Sequence, residues 1–235
     1  MKKLITTSWD DGHVLDLRLA ELLQKYKLPA TFYIPQINPE RAVMPPHLIQ
    51  SLAKSFEIGG HTLHHVRLRS ANKELLEKEI KGSYIWLGHL LGESPVSFCF
   101  PGGVFDQTTV KYVFSSGYQL ARTTELLSTT PFSAGCVTGT TLQVYPHAKF
   151  TYTRHLVKRK KWITLFDWLK NNSETELVKL AEFYLGQVNK SGGCFHLWGH
   201  SWEIDEYNLW GKLEELFKVI SARIDFAYVQ NKGLI

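Results

Sequence analysis

Two rhythms of apolar residues alternate along the chain. Short runs rich in β-branched and aromatic side chains, at residues 4–9, 30–34, 57–59, 96–100, 119–122, 142–145, 194–198 and 226–229, read as strands. Between them, apolar residues recur three and four apart at residues 15–26 (Leu15, Leu19, Leu22, Leu23), 46–55, 72–91, 108–115, 163–170, 174–189 and 209–220. These segments read as helices with one buried face. Regular alternation of strand and helix predicts an α/β fold with a largely parallel sheet. About seven or eight such units in a single domain covering residues 1–235 favour a closed or nearly closed barrel over an open sheet. In barrels of this kind the chemistry sits where strands end and loops begin, and the polar residues of interest fall at those places.

Composition refines this picture only slightly. With 235 residues, 44% of them hydrophobic, there is ample chain to bury a core as one unit. Cys99, Cys136 and Cys194 are odd in number, widely spaced and without a CxxC pair, so neither a disulfide framework nor a zinc knuckle is expected, and reduced thiols are. The first residues are basic but lack the apolar run of a signal peptide, and no stretch approaches the roughly 18 apolar residues of a membrane span. A cytoplasmic protein is the expectation. The net charge of +5 is mild and gives no reason to expect nucleic acid as a partner. The densest basic cluster, Lys158-Arg159-Lys160-Lys161, reads as a solvated helix start or loop; the sharper alternative is a contact with a nucleotide, a phosphate or a lipid head group.

Trp9-Asp10-Asp11-Gly12 follows the first strand directly. Successive side chains alternate at a strand end, so one carboxylate can bind a metal while its neighbour faces substrate, and Gly12 permits a tight turn. Alone, such a triplet is usually a turn or a helix cap. Gly59-Gly60-His61-Thr62-Leu63-His64-His65 is more informative: if the segment makes a helical turn, His61 and His65 share one face and can close on one ion, with His64 pointing elsewhere. Two histidines and one carboxylate leave a coordination position open, the catalytic arrangement, and a second carboxylate nearby is what a general base requires.

Ser8-Trp9-Asp10-Asp11-Gly12, then Pro29-Ala30-Thr31-Phe32-Tyr33, then Gly60-His61-Thr62-Leu63-His64-His65 resemble, in this order, motifs of the polysaccharide deacetylase family. Phe98-Cys99-Phe100-Pro101-Gly102-Gly103 takes the place of a third motif, and His200-Ser201-Trp202-Glu203-Ile204-Asp205 is similar to a variant of the last. The resemblance implies a distorted (β/α) barrel of about seven strands and hydrolysis of N-acetyl groups on an N-acetylated sugar. It implies one divalent ion, usually zinc, with nickel or cobalt as alternatives, held by Asp11, His61 and His65. It makes Asp10 the base that activates water and a late histidine the acid that protonates the leaving amine.

The third motif departs from the family. Cys99 stands where an arginine that orients the base is usual, and Gly102 where a tyrosine is usual. Arg122, at the end of a neighbouring strand, is expected either to supply the missing guanidinium or to make a structural salt bridge. The Gly102 amide remains able to donate to an oxyanion. Of the two late histidines, His196 lies inside an apolar strand and His200 at its end, so His200 is favoured as the acid, with Glu203 or Asp205 accepting its other N–H. Trp198, Trp202 and Trp210 are candidate platforms for sugar rings, or packing. Two rival readings stand beside the sugar deacetylase: a hydrolase of a small non-sugar amide or cyclic imide, and a catalytically silent carbohydrate-binding barrel.

Overall fold

A computed structural model of the chain describes residues 2–130 and 134–235. Among these residues nine strands form one sheet: β1 (Lys3–Asp10), β2 (Ala30–Ile34), β3 (Glu57–Gly60), β4 (Ser97–Cys99), β5 (Leu120–Arg122), β6 (Val137–Thr138), β7 (Leu142–Gln143), β8 (Gly193–Gly199) and β9 (Ala227–Tyr228). The order is β6-β5-β4-β3-β2-β1-β8-β7, β9 also pairs with β1, and every pairing is parallel. The strands β6 and β7 stand at opposite ends of this order, yet only residues 139–141 separate them in the chain. Four Cα–Cα steps span at most about 14 Å. The sheet must therefore curl until its edges almost meet, which makes it a distorted barrel with a seam. Thr140 N–H donating to Glu125 O and Thr141 N–H donating to His196 O stitch that seam.

Parallel strands need long crossovers, and helices supply them. They are α1 (Asp16–Lys25), α2 (Pro46–Ala53), α3 (Lys73–Leu76), α4 (Gly82–Leu91), α5 (Gln107–Ser115), α6 (Lys149–Lys158), α7 (Trp162–Lys170), α8 (Leu177–Ser191), α9 (Ser201–Glu206) and α10 (Trp210–Ser221). The central strands β2 and β8 are buried on both faces, which is why their sequences are nearly continuous apolar runs rather than alternations. No helix is long and apolar enough to cross a membrane among the described residues.

The structure departs from the sequence expectation in four places. Of the nine strands, eight coincide with runs read in the sequence, and β6 was not expected because a two-residue ladder is too short to leave a pattern. The helix expected over 72–91 is interrupted by a π-helical turn, Glu77–Lys81, between α3 and α4. Helix α6 was not expected, since of its ten residues only Tyr152 and Leu156 are buried. Helix α9 was not expected either; it is a six-residue segment that begins immediately after the last strand-end histidine.

The two ends of the barrel have different contents. At the end where strands begin, the buried Glu57 carboxylate accepts from Thr31 Oγ1 (2.8 Å), Ser97 Oγ (2.6 Å) and the Lys232 amide (2.7 Å), and Asn231 donates to the Tyr33 hydroxyl (2.7 Å). This network ties the C-terminal segment under the barrel. Burial nevertheless raises the Glu57 pKa, because it outweighs those hydrogen bonds. At the opposite end, β1, β4 and β5 finish on Asp10, Cys99 and Arg122, while His61 and His200 follow β3 and β8.

The turn after β1 is closed by Asp11 N–H to Tyr33 O (3.0 Å) and Met44 N–H to Gly12 O (2.8 Å). Gly12 adopts φ +65°, and a Cβ there would lie 2.6 Å from Ile34 Cγ2. Gly12→Ala is therefore expected to destabilise the protein by about 1–3 kcal/mol through overpacking and backbone strain. Chemical denaturation measures this, and an unchanged midpoint would contradict the tight fit of this turn.

Candidate metal centre and active site

Asp11 is buried and held at φ +81°, a conformation that non-glycine residues adopt rarely and mostly where surrounding structure enforces it. Its Oδ1 lies 3.6 Å from His61 Nε2 and 3.1 Å from His65 Nε2, and makes no hydrogen bond of good geometry. Burial alone would raise the Asp11 pKa; the two imidazoles and the nearby charge of His200 outweigh it and hold the carboxyl well below its usual range. The His61 Nδ1 is 2.8 Å from the Cys99 carbonyl, which can only accept, so that nitrogen carries a proton and Nε2 is the ring atom on the Asp11 side.

His61 and His65 do not meet through a helical turn, which corrects the sequence expectation. Residues 61–65 form a loop in which Thr62 and His65 both have positive φ, at 60° and 54°. The folded-back loop still sets the two rings 5.0 Å apart. Glu79, buried in the π-helical turn, shapes this loop. Its Oε2 accepts from the amides of Leu63 (3.1 Å) and His64 (2.8 Å), while Oε1 pairs with His64 Nδ1 at 2.8 Å. His64 thus points away from Asp11, as expected. Sequence reading passed over Glu79, although it sits three residues from the buried Leu76 and four from the buried Ser83, on the inward face of its helix.

Donor atoms of Asp11, His61 and His65 lie within 4.8 Å of one another, as do those of Asp10, His61 and Cys99. The first set fits a divalent ion better. It offers a carboxylate oxygen without a hydrogen bond of good geometry and two imidazole nitrogens beside it, whereas Cys99 is a thiol whose pKa burial pushes well up.

Arg122 ends β5, in direct parallel register with Cys99 on β4. Its guanidinium is fully buried and donates to Asp10 Oδ1, with the faces of Tyr33 and Trp198 at 5.0 and 4.9 Å. Arg122 thus sets a guanidinium beside Asp10 one strand over from Cys99, at the same height. Burial disfavours the charged guanidinium, but Asp10 outweighs it and the Arg122 pKa is raised. The other carboxylate oxygen, Asp10 Oδ2, accepts a weak hydrogen bond from the Cys99 thiol at 3.6 Å.

On the opposite side His200 Nε2 stands 4.0 Å from Asp11 Oδ2, and Nδ1 meets Glu203 Oε2 at 3.0 Å. Gln143 donates to the same Glu203 oxygen at 2.9 Å, and His147 Nε2 meets Gln143 Oε1 at 2.9 Å. Burial disfavours a charged His200, but the bond to Glu203 and the charges of Asp11 and Asp10 override it and bring its pKa up to about 9. Asp205 is occupied elsewhere, with Trp210 Nε1 at 2.8 Å. His196 is buried inside β8 with Nε2 2.8 Å from Ser8 Oγ, and burial pushes its pKa well down.

Of the two expectations for the tryptophans, sugar platforms or packing, the contacts in the structure are those of packing and hydrogen bonding. The Trp202 indole N–H donates to Asp11 Oδ2 (2.9 Å), and Arg41 covers its ring at 4.3 Å. Trp198 is buried over Arg122, and Arg18 stacks on Trp210 at 4.1 Å. Gly102 lies in the tight turn Pro101–Gly103 after β4 with φ +60°, and a Cβ there would be 3.2 Å from Arg67 Nε.

A family profile described as polysaccharide deacetylase matches residues 1–121. Over 121 residues the chain is 31% identical to a peptidoglycan-N-acetylglucosamine deacetylase of Bacillus cereus (strain ATCC 14579), covering 50% of this chain and 55% of that protein. The chain spans about half the length of the curated relatives it matches. Among solved structures, a protein from Mycobacterium smegmatis assigned to the polysaccharide deacetylases aligns at TM-score 0.70 and 15% identity, over 99% of this chain and 89% of that one. The PuuE allantoinase aligns at TM-score 0.66 and 11% identity, over 99% and 87%. Both show the shared distorted barrel. The matched profile holds Asp10, Asp11, His61, His65 and Cys99 and ends one residue before Arg122, and on that match the chain belongs to the polysaccharide deacetylase family.

Proposed function

We propose that this protein is a metal-dependent hydrolase that removes the acetyl group from the nitrogen of an N-acetylated sugar. One juxtaposition carries the reading: a buried Asp11–His61–His65 donor set beside a second carboxylate, Asp10, that a buried arginine holds in place. Asp11, His61 and His65 would hold a divalent ion, with zinc the ion this donor set suits best. When bound, such an ion polarises the amide carbonyl and makes water more acidic.

The protein's own groups do the rest. Asp10 takes the proton of the attacking water through Oδ2, since Oδ1 is committed to Arg122. Arg122 fixes the carboxylate's orientation. The Gly102 amide, in the turn after Cys99, is assigned to the developing oxyanion. Protonated His200 delivers its Nε2 proton to the leaving nitrogen while Glu203 keeps the ring in position. Trp202 orients Asp11 through its second oxygen rather than stacking on sugar.

A silent sugar-binding barrel has no use for a base locked to a buried guanidinium. The cyclic-imide reading rests on likeness of fold to an allantoinase, which brings no residue-level support.

Protein purified without chelator is expected to contain near-stoichiometric metal by elemental analysis. His61→Ala loses most of it, and His64→Ala keeps it. Glu79→Gln weakens metal binding about 10- to 100-fold by loosening the loop that aims His61 and His65. Full activity in metal-free protein would end the proposal. For the base, Asp10→Asn retains metal but loses about 10²–10⁴ in turnover; Arg122→Met lowers turnover with the fold intact by circular dichroism. Loss of metal in Asp10→Asn, with Asp11→Asn retaining it, would exchange the two roles.

Glu203 raises the His200 pKa, and the acid must be protonated to act. Glu203→Gln removes that charge, lowers the pKa and moves the alkaline limb of kcat/KM to lower pH. An unmoved limb would separate His200 from the rate. His200→Ala is expected to slow amide cleavage far more than cleavage of an activated ester, whereas His196→Ala acts through stability; the reverse pattern would reassign the acid.

A further inference from the structure

A cleft of about 650 Å³ opens beside the proposed site, and of its lining the mechanism above uses only Gly102. One wall is the turn after β4, Gly102 and Gly103 with Phe105, together with Thr124. These residues follow Cys99 and Arg122 by a few positions, so the cleft runs along the ends of the two strands that carry the base's partners. The other wall is a face of α6. Phe150, Arg154 and Lys158 are spaced four apart, and Thr151, His155 and Arg159 form the adjacent row. From Phe150 to Lys158 this face extends about 12 Å.

The wall is strongly cationic. Arg154 and Lys158 on α6, Arg159 just beyond it and Arg69 opposite line the cleft, and no carboxylate does. The nearby acid, Glu125, is already engaged by Arg159 at 3.5 Å and Lys161 at 2.8 Å. Asp106, next to Phe105, caps α5 through the Thr109 amide (2.9 Å) and holds the Ser70 amide (2.7 Å). Arg67 adds a further guanidinium beside Gly102. Arg154, Lys158 and Arg69 therefore have no acidic neighbour in this cleft to neutralise them. Phe150 is 72% exposed at the cleft, an aromatic face available to a planar group or a sugar ring.

We propose that this cleft binds the phosphate groups of a phosphate-bearing N-acetylated sugar, so that the substrate is an activated glycan precursor rather than a neutral polysaccharide. The inference rests on the deacetylase reading for the reaction, but the anion site stands on the cleft alone. Guanidinium groups bind phosphate oxygens through paired N–H donors, and Arg154 and Lys158, about 6 Å apart along α6, suit a diphosphate better than a single carboxylate. The phosphate has two sources, a nucleoside diphosphate and a lipid diphosphate. The exposed Trp162, Ile163, Phe166 and Leu169 on α7, adjoining the basic cluster after α6, would favour the lipid-linked form at a membrane surface.

The test uses the full chain loaded with zinc. Acetate release is measured from a neutral N-acetylglucosamine disaccharide, from a nucleoside-diphosphate-linked N-acetylglucosamine and from a polyprenyl-diphosphate-linked one in detergent. Pyrophosphate binding is followed by calorimetry. Arg154→Glu combined with Lys158→Glu is expected to weaken pyrophosphate binding and raise KM for the phosphate-bearing sugars at least tenfold, with kcat and the neutral substrate's KM within twofold of wild type. Which diphosphate has the higher kcat/KM identifies the source. Pyrophosphate binding that is absent, or equal in wild type and variant, overturns the proposal, as does equal kcat/KM for neutral and phosphate-bearing sugars. Variant-sensitive pyrophosphate binding with no acetate released from any sugar upholds the anion site and removes the deacetylase reading.

Discussion

An arginine fully removed from water is tolerated only when a partner inside the fold offsets its lost hydration, and in this chain Asp10 is that partner. The pairing constrains much of the site. It requires β5 to lie alongside β4 in a register that brings Arg122 level with Cys99, and it requires β1 to end with the Asp10 side chain turned toward them. Tyr33 and Trp198 supply aromatic faces where further hydrogen-bond partners are lacking, so strands β2 and β8 are drawn into the same arrangement. Removing either charge would leave the other buried and unpaired, which typically destabilises by about 3–5 kcal/mol.

Around that pair the fold divides its labour by strand direction. Because all strands are parallel, their ends collect on one rim, and residues distant in sequence arrive there without long side chains. The rim carries unusual backbone: Asp11, Gly12, Thr62, His65 and Gly102 all have positive φ. Such conformations persist where the surroundings over-determine them, and here the Glu79 carboxylate, the Tyr33 carbonyl and the Trp202 indole do so. The opposite end joins Glu57, Asn231 and Thr31 in a buried network that serves to hold the barrel together.

How far the site could be read in advance depended on whether its parts are local in sequence. Asp10 and Asp11 are adjacent, and His61 and His65 fall within one short segment, so residue type and spacing were enough to select them. The geometry inferred for the histidines was nonetheless wrong in form. A four-residue spacing is the signature of a helix face, but two residues at positive φ fold the loop back to a similar separation. Trp202 was selected for its ring and turned out to be held by its N–H. Glu79 carried a signal, a glutamate on the inward face of an amphipathic helix, that a search confined to strand ends passes over.

What the sequence by itself determined was the alternation of buried strands and covering helices, the parallel sheet that follows from it, and the chemical types gathered at the strand ends. Those properties depend on local periodicity and on the preferences of neighbouring residues, which short stretches of chain express without help. Only the tertiary structure decided that Arg122 pairs with Asp10 beside Cys99, that Glu203 rather than Asp205 holds His200, and that the basic residues after Phe150 wall a cleft. Each of these is a contact across strands or helices far apart in the chain. Its existence depends on sheet register and on the curl that brings β6 and β7 together, quantities that no window of sequence contains.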